Sequence, residues 1–427
     1  MTNSPWWLIA LAGIGVLAMI GTIITLFTSL GRRPARFRAD ANLQAGSDEF
    51  LQALSVLMNV PLEHGGTVTL LNNGDEFFPD LLDEVGRARN HINFLVYIWE
   101  PGDLSMQIFE ALAAAARRGV QVRVLLDGMG GLRTPAAGIE MLKAAGGQVE
   151  RFRPPRFGKL ARFYRRNHRR AIIIDGKVGY TGGIAIGQKW LGHAQDRDHW
   201  RDMMIKVTGR MAVSLQSAFT EPWAYVCGEM LTAAEFYPDH DGDLARKHLH
   251  VVSSPSSEEH PLRLLFMLSF LSAREKLYIA TSYFVPDRQT REAVAERARA
   301  GVDVRILVPN EVTDAPPIRL AGRSYYEELL ASGIRIYEYQ PTMMHAKCVV
   351  IDGTWSLVGS ANMDIRSKEL NQENVMGIRD TCLARQLEQS FLDDLGNARE
   401  IRLDEWQHRG LMDRLKERFW VLFAEQY

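Results

Sequence analysis

The chain has 427 residues, 46% of them apolar and 24% charged, which suits a folded protein of two lobes and excludes a disordered chain. Fifty basic against fifty-one acidic residues leave the net charge near zero, so a bulk nucleic-acid binder is not expected and any anion-binding surface has to be local. Cys227, Cys348 and Cys382 are odd in number and far apart, and give neither a disulfide framework nor a zinc spacing.

Residues 5–30 form an uncharged run of 26 residues that begins Pro5-Trp6-Trp7. About 20 apolar residues cross a bilayer, so the run is long enough to span one. The tryptophans suit one interface, and Arg32, Arg33, Arg36 and Arg38 suit the other, which keeps the body cytoplasmic by the positive-inside rule. A cleaved signal peptide would want a basic start and a shorter apolar core, whereas residues 1–4 carry no charged side chain. The expectation is a single-pass anchor. A juxtamembrane segment follows at 31–65, where Phe50, Leu51, Leu54, Leu57 and Met58 are spaced for a short amphipathic helix near the membrane.

The body repeats itself. Ala88–Tyr97 and Ala273–Ala280 each read as a helix end running into a short apolar strand. Arg118–Leu126 and Ala300–Val308 each read as a glycine-led second strand after another helix. Continuous Val/Ile/Leu runs between helices predict strands buried on both faces of an α/β sandwich. Order and spacing recur together with type, which points to duplication. The first lobe is expected at 66–232 and the second at 258–427. Pro238, Asp239, Asp241, Gly242, Asp243 and Pro255 mark a polar linker at 233–257, and residues from 383 onward read as a helical tail.

Each copy ends in the same segment. His345-Ala346-Lys347 precedes Cys348-Val349-Val350-Ile351-Asp352-Gly353 and then Gly359-Ser360-Ala361-Asn362. His168-Arg169-Arg170 precedes Ala171-Ile172-Ile173-Ile174-Asp175-Gly176 and then Gly182-Gly183. His345 and Lys347 are two apart, so on an extended strand both face one way. Asp-Gly between apolar runs predicts a two-residue hairpin turn, which sets Ser360 opposite His345, Asn362 beside Lys347, and Gly183 opposite His168. Seven extended residues span about 23 Å, so Asp175 and Asp352 are read as turn residues rather than partners of the imidazoles. Nearer carboxylates stand on the strand after each hairpin. Asp202 and Glu373 are the candidates for orienting the histidines.

These residues resemble the phospholipase D superfamily. The second copy matches its HxK(x4)D(x6)GSxN signature in full, and Tyr337–His345, Asn362–Ser367 and Leu370-Asn371 are similar to bacterial cardiolipin synthases in particular. The resemblance runs from about Gly66 to the C-terminus, through Tyr97, Leu126-Asp127, Gly182-Gly183 and Trp200-Arg201-Asp202. It implies two similar α/β sandwich lobes related by a pseudo-twofold axis, with both hairpins at one cleft, besides the N-terminal transmembrane helix. It implies His168 as nucleophile, forming a phosphohistidine, and His345 as general acid and base. Arg170, Lys347, Ser360 and Asn362 are then the phosphate-binding groups, with no metal and no cofactor. The first copy departs from the pattern at Arg170, where Lys is usual, and at Ala185, where the second copy has Asn362.

Nine Lys or Arg with interleaved aromatics fill residues 151–170. Of these, Arg162, Arg165 and Arg166 are expected at anionic lipid headgroups, since basic side chains near an anionic surface add about 1 kcal/mol each. The function expected is phosphatidyl transfer at a bacterial inner membrane, forming cardiolipin from two phosphatidylglycerol molecules with release of glycerol. Hydrolysis of a phospholipid or a nucleic-acid phosphodiester is the alternative, and lipid binding with a degenerate first site is a third. The oligomeric state is left open.

Overall fold

The computed structural model describes residues 37–40, 42–154, 165–239, 245–254 and 261–423, together with Trp7, Gly13, Gly15 and Val16. Residues 1–38 form one compact unit and residues 39–427 another. The expected anchor at 5–30 lies almost entirely outside the described residues. Among those described, no helix is long and apolar enough to cross a membrane.

The larger unit opens with helix α1 (Asp48–Met58), capped by the Ser47 hydroxyl, which accepts from the Phe50 amide. Its Phe50, Leu51, Leu54 and Met58 are buried, and Phe50 meets Trp355 edge-on at 5.3 Å. The amphipathic helix expected in the juxtamembrane segment therefore exists, but four of the five apolar residues that predict it are spent inside the protein, and of the five only Leu57 is exposed. Strand β1 (Glu63–His64) follows, then β2 (Val68–Asn72), α2 (Asn73–Arg87), β3 (His91–Val96), α3 (Asp103–Arg117), β4 (Gln121–Asp127), α4 (Ala136–Ala144), β5 (Gln148–Phe152), β6 (Ala171–Ile174), β7 (Val178–Gly182), β8 (Met203–Thr208) and α5 (Arg210–Cys227). The second half contributes β9 (Lys247–Ser253), α6 (Pro261–Leu271), β10 (Lys276–Ala280), β11 (Phe284–Val285), α7 (Arg288–Arg299), β12 (Asp303–Pro309), α8 (Pro316–Arg323), β13 (Arg335–Tyr339), β14 (Cys348–Ile351), β15 (Trp355–Gly359), β16 (Met363–Asp364), β17 (Glu373–Arg379), α9 (Thr381–Gly396), β18 (Ala398–Ile401) and α10 (Leu411–Val421).

Among the described residues, two large sheets carry the fold. The first runs β2-β8-β7-β6-β3-β4-β5 and the second β1-β9-β17-β15-β14-β10-β12-β13-β18. With β1 and β18 set aside as added edges, the two orders match strand for strand. In both, the three strands ending at β5 or β13 are parallel and the rest antiparallel. Helices α5 and α9 lie between the sheets. Each packs on its own half and on the other's edge strand, α5 on β9 and α9 on β2. Met211, Leu215, Phe219 and Trp223 of α5 join Leu383, Leu387 and Phe391 of α9 in one core with residues of both sheets. This shared core explains why the two halves form a single compact unit.

Three expectations change here. Residues 247–253, placed in a linker by their polar surroundings, form β9, a strand paired on both sides. The tail is not wholly helical, because β18 extends the second sheet beside β13. Both hairpins turn through three residues rather than two: Ile351 pairs with Trp355 and Ile174 with Val178. Asp352 and Gly353 have φ of 50° and 61°, and Asp175 and Gly176 have 54° and 62°, a left-handed pair followed by one extra residue. The register therefore moves by one. Continued past the last pairs, Cys348 with Val358 and Ile172 with Tyr180, the register sets positions 361 and 184, rather than Ser360 and Gly183, across from His345 and His168.

Candidate active site

The first geometric fact about the site is reciprocity. The His168 amide donates to the Gln372 carbonyl at 2.8 Å, and the His345 amide donates to the Arg201 carbonyl at 2.7 Å. Each histidine segment is thereby stitched to the segment just before the other half's carboxylate. The carboxylates are accordingly crossed. His168 Nδ1 lies 2.9 Å from both oxygens of Glu373, and His345 Nδ1 lies 2.6 Å from Asp202 Oδ2. Sequence order suggested that each hairpin would be served by its own following strand; the fold exchanges the partners.

Both pairs are dry. His168 and His345 are 8% and 4% exposed, and Asp202 and Glu373 have no exposed surface. Burial pushes the His168 imidazole down to about 4, with Glu373 opposing and Arg170 and Lys347 adding to the fall. Burial also holds His345 well below its ordinary value, with Lys347 and Arg170 pushing the same way. Each ring thus feels the cation of the other half as well as its own, which places both hairpins at one centre. Burial alone would raise Glu373, but the hydrogen bonds from His168 and Ser360 hold it below the usual carboxylate range. Burial lifts Asp202 to about 6 despite Lys347 and the Met203 amide. In both rings an Nδ1–H donated to a carboxylate leaves Nε2 as the reactive nitrogen.

The cations sit over the rings. Lys347 Nζ is 3.2 Å from both nitrogens of His345 and donates to the Ser282 hydroxyl at 2.6 Å. Arg170 Nη1 is 3.3 and 3.4 Å from the His168 nitrogens and donates to the His168 carbonyl at 2.9 Å. Near-equal distances to two ring nitrogens mean that neither cation caps a lone pair. Arg170 is 1% exposed, yet among the described residues its Nε and Nη2 have no hydrogen-bond partner, and neither does the Asn362 carbonyl oxygen. Buried donors without partners are aimed at something the protein does not supply. Burial lowers Lys347 to about 7. An anion entering here would meet two buried cations at once.

Ser360 has a different task from the one its motif position suggested. Its hydroxyl donates to Glu373 and accepts from the Asn374 amide at 3.0 Å, so it braces the carboxylate. In the first half that space is given up. A Cβ at Gly183 would lie 2.1 Å from Asp202 Oδ1. Trp190 Nε1 braces Asp202 instead, at 3.0 Å. Ala185, the counterpart of Asn362, is fully buried and brings no polar group.

The motif aspartates are occupied elsewhere. Asp352 accepts from the Arg274, Glu275 and Lys276 amides at 2.8–2.9 Å, and Asp175 from the Arg89, Asn90 and His91 amides at 2.7–2.9 Å. Each ties a hairpin tip to the corner that launches β10 or β3. Arg166 donates to the Tyr97 hydroxyl at 2.7 Å, and the Tyr97 ring lies 4.8 Å from His168, so Arg166 borders the cleft. Arg165 is exposed, and Arg162 lies outside the described residues.

Several contributors have no role in the sequence reading: Trp190 and Asn374 carry no motif signal, and Trp200 and Arg201 stand only in the Trp200-Arg201-Asp202 resemblance. Trp190 and Trp200 flank His345 at 5.5 and 5.2 Å. Asn374 accepts from the Arg170 amide at 3.0 Å across the join between halves. Arg201 is buried and binds Asp394, Asn72, Ser390 and the Asp202 carbonyl, fixing the strand that presents Asp202. Adjacency to Glu373 was the one available clue to Asn374.

The family model described as cardiolipin synthase, PLD-like domain, matches residues 81–223 and 268–395, one match in each half. Cardiolipin synthase 1 of Bacillus cereus is 31% identical, the alignment covering 98% of this chain and 88% of that one. Cardiolipin synthase 2 of Bacillus anthracis is 36% identical over 83% of this chain and 69% of its own length. The crystal structure of phosphatidylserine synthase from Haemophilus influenzae Rd KW20 superposes with a TM-score of 0.66 at 15% identity, covering 88% of this chain and 97% of that one, and so shares the fold. With a duplicated family match and relatives of this identity along most of its length, the chain belongs to the cardiolipin synthase family of phospholipase D-like proteins.

Proposed function

We propose that this protein is a phosphatidyltransferase that makes cardiolipin from two phosphatidylglycerol molecules. The observation that carries the reading is the crossed pair of buried imidazole–carboxylate contacts beneath two cations, one of which keeps unspent donors. In the first step His168 Nε2 bonds to phosphorus and the bond to the glycerol oxygen breaks. His345 gives that oxygen its proton, releasing glycerol. In the second step His345 takes the proton of the second lipid's hydroxyl, whose oxygen displaces His168. Protons balance over the cycle.

Two features support this division of labour. Glu373 is held ionised and suits a ring that turns cationic on phosphorylation. Asp202, lifted to about 6, lies 2.6 Å from His345 and suits a ring that passes a proton back and forth. The negative phosphodiester offsets Arg170 and Lys347, and so raises His345 towards the protonated form the first step needs. Arg170 and Lys347 bind the non-bridging oxygens as charge develops, with Asn362 beside them. Each half supplies one imidazole, and the second half includes the strand at Lys247–Ser253. Residues 5–30 span a bacterial inner membrane, with Arg32, Arg33, Arg36 and Arg38 on the cytoplasmic side, and Arg162, Arg165 and Arg166 grip headgroups.

The test is purified full-length protein in mixed micelles with phosphatidylglycerol labelled in both the acyl chains and the headgroup glycerol. Equal amounts of cardiolipin and free glycerol are expected. Phosphatidic acid as the main product would make it a hydrolase, and binding without turnover would end the enzymatic reading.

A further inference from the structure

The C-terminal helix α10 shows solvent an apolar face that the fold leaves uncovered. Leu411, Met412, Leu415 and Phe419, with Leu422 and Phe423 in the turn that continues it, are between 37% and 78% exposed. At about 100° per residue they fall within one arc of about 120°. Lys416 and Arg418, both exposed, stand just beyond the two edges of that arc. The acidic residues are turned away. Glu417 is buried and accepts from Arg323 at 3.2 Å and Arg409 at 2.5 Å. Six large apolar side chains on one face are more than the scattered singles of an ordinary surface. Cations on both rims and acids behind are the arrangement of a helix lying in an anionic lipid interface, where lysine and arginine stems reach up to the headgroups.

The helix is also placed beside the cleft. Its inner residues Trp420 and Val421 pack with Val285 and Ile318. Val285 belongs to β11, which pairs with β16, the strand that starts directly after Asn362. The residue before β11, Tyr283, donates to Asp314 at 2.9 Å, two residues ahead of α8. The helix therefore lies one layer of packing from the segment that borders the phosphate-binding groups.

We propose that α10 is a membrane-docking helix, distinct from the N-terminal span, that seats the cleft against an anionic leaflet. Its occupant is the bilayer itself, and its role in delivering lipid to the cleft rests on the phosphatidyl-transfer reading above. Two measurements on the full chain separate the ideas. Hydrogen exchange over residues 411–423 is compared in nanodiscs of phosphatidylcholine with and without phosphatidylglycerol. Exchange slowed by phosphatidylglycerol supports docking whether or not the protein turns over. Equal exchange overturns docking, and so does protection in both discs accompanied by self-association, which assigns the face to a second copy. Turnover is then compared for L411S/L415S/L422S and for K416E/R418E, on bilayer and on water-soluble short-chain phosphatidylglycerol. A loss of about tenfold or more on bilayers alone is expected. An equal loss on both substrates makes the helix merely structural and overturns the proposal, as does no loss on either. No turnover by the unmodified chain on either substrate sinks the enzymatic reading and leaves docking to the exchange result.

Discussion

Glu373→Gln removes the charge opposite His168 and keeps the size of the side chain. When Nε2 bonds to phosphorus the ring becomes an imidazolium, with Nδ1 facing the carboxylate at 2.9 Å. At an effective dielectric of about 20, unit charges at that separation attract by about 6 kcal/mol, and a neutral amide oxygen keeps about 1 kcal/mol of it as an ordinary hydrogen bond. The difference, about 5 kcal/mol, falls on the phosphatidyl-enzyme and the transition states flanking it, so kcat should drop by about three to four orders of magnitude. KM should change little, because substrate first meets a neutral ring. Thermal stability should fall modestly, since the fold holds Glu373 below the usual carboxylate range and so favours its ionised form. The assay is steady-state cardiolipin formation, with single-turnover trapping of the acid-labile phosphoryl adduct and peptide mapping to His168. Turnover within about tenfold of the unmodified chain, in folded protein, would refute the charge argument. An adduct on His345 would reverse the assignment of the two rings.

The pH profile should be narrow. Asp202, at about 6, has to be ionised to hold His345, and Lys347, at about 7, has to be charged to bind phosphate, so kcat/KM should fall below the first value and above the second. A flat profile from pH 5 to 9 is the contrary result. Stability runs the other way at Lys347: its folded value lies below the unfolded one, so the unfolded chain binds more protons above about 7 and stability gains with rising pH there. Arg170→Lys should lower turnover by about tenfold or more, because a lysine cannot replace the two unspent guanidinium donors and Ala185 offers none; an unchanged rate would show that those donors do not meet phosphate. Asp352→Ala should cost about 3 kcal/mol, from three lost amide contacts and a left-handed alanine, while activity per folded molecule stays near normal. Chemical denaturation checks it, and lost activity without lost stability would return Asp352 to the chemistry.

Some of this was legible because it is local. The duplicated strand–helix order, the Asp-Gly turns and the spacing of His345 to Lys347 depend on near neighbours in the chain, and the sheets reproduce them strand for strand. The demotion of Asp175 and Asp352 followed from strand length alone, and their carboxylates hold backbone corners. The register of the hairpins was off by one, because φ at Asp-Gly does not reveal the extra residue that completes the turn.

What tertiary structure decided was pairing across distance. Glu373 serves His168, 205 positions away, and Asp202 serves His345, 143 positions away, because α5 and α9 draw the two sheets together around one core. The same packing turned 247–253 from linker into strand and set Ser360 behind a carboxylate instead of in front of a phosphate. A side chain's type and spacing state what it can do. Which partner it meets depends on burying apolar surface contributed by the whole chain, and that sum is not written at any one position.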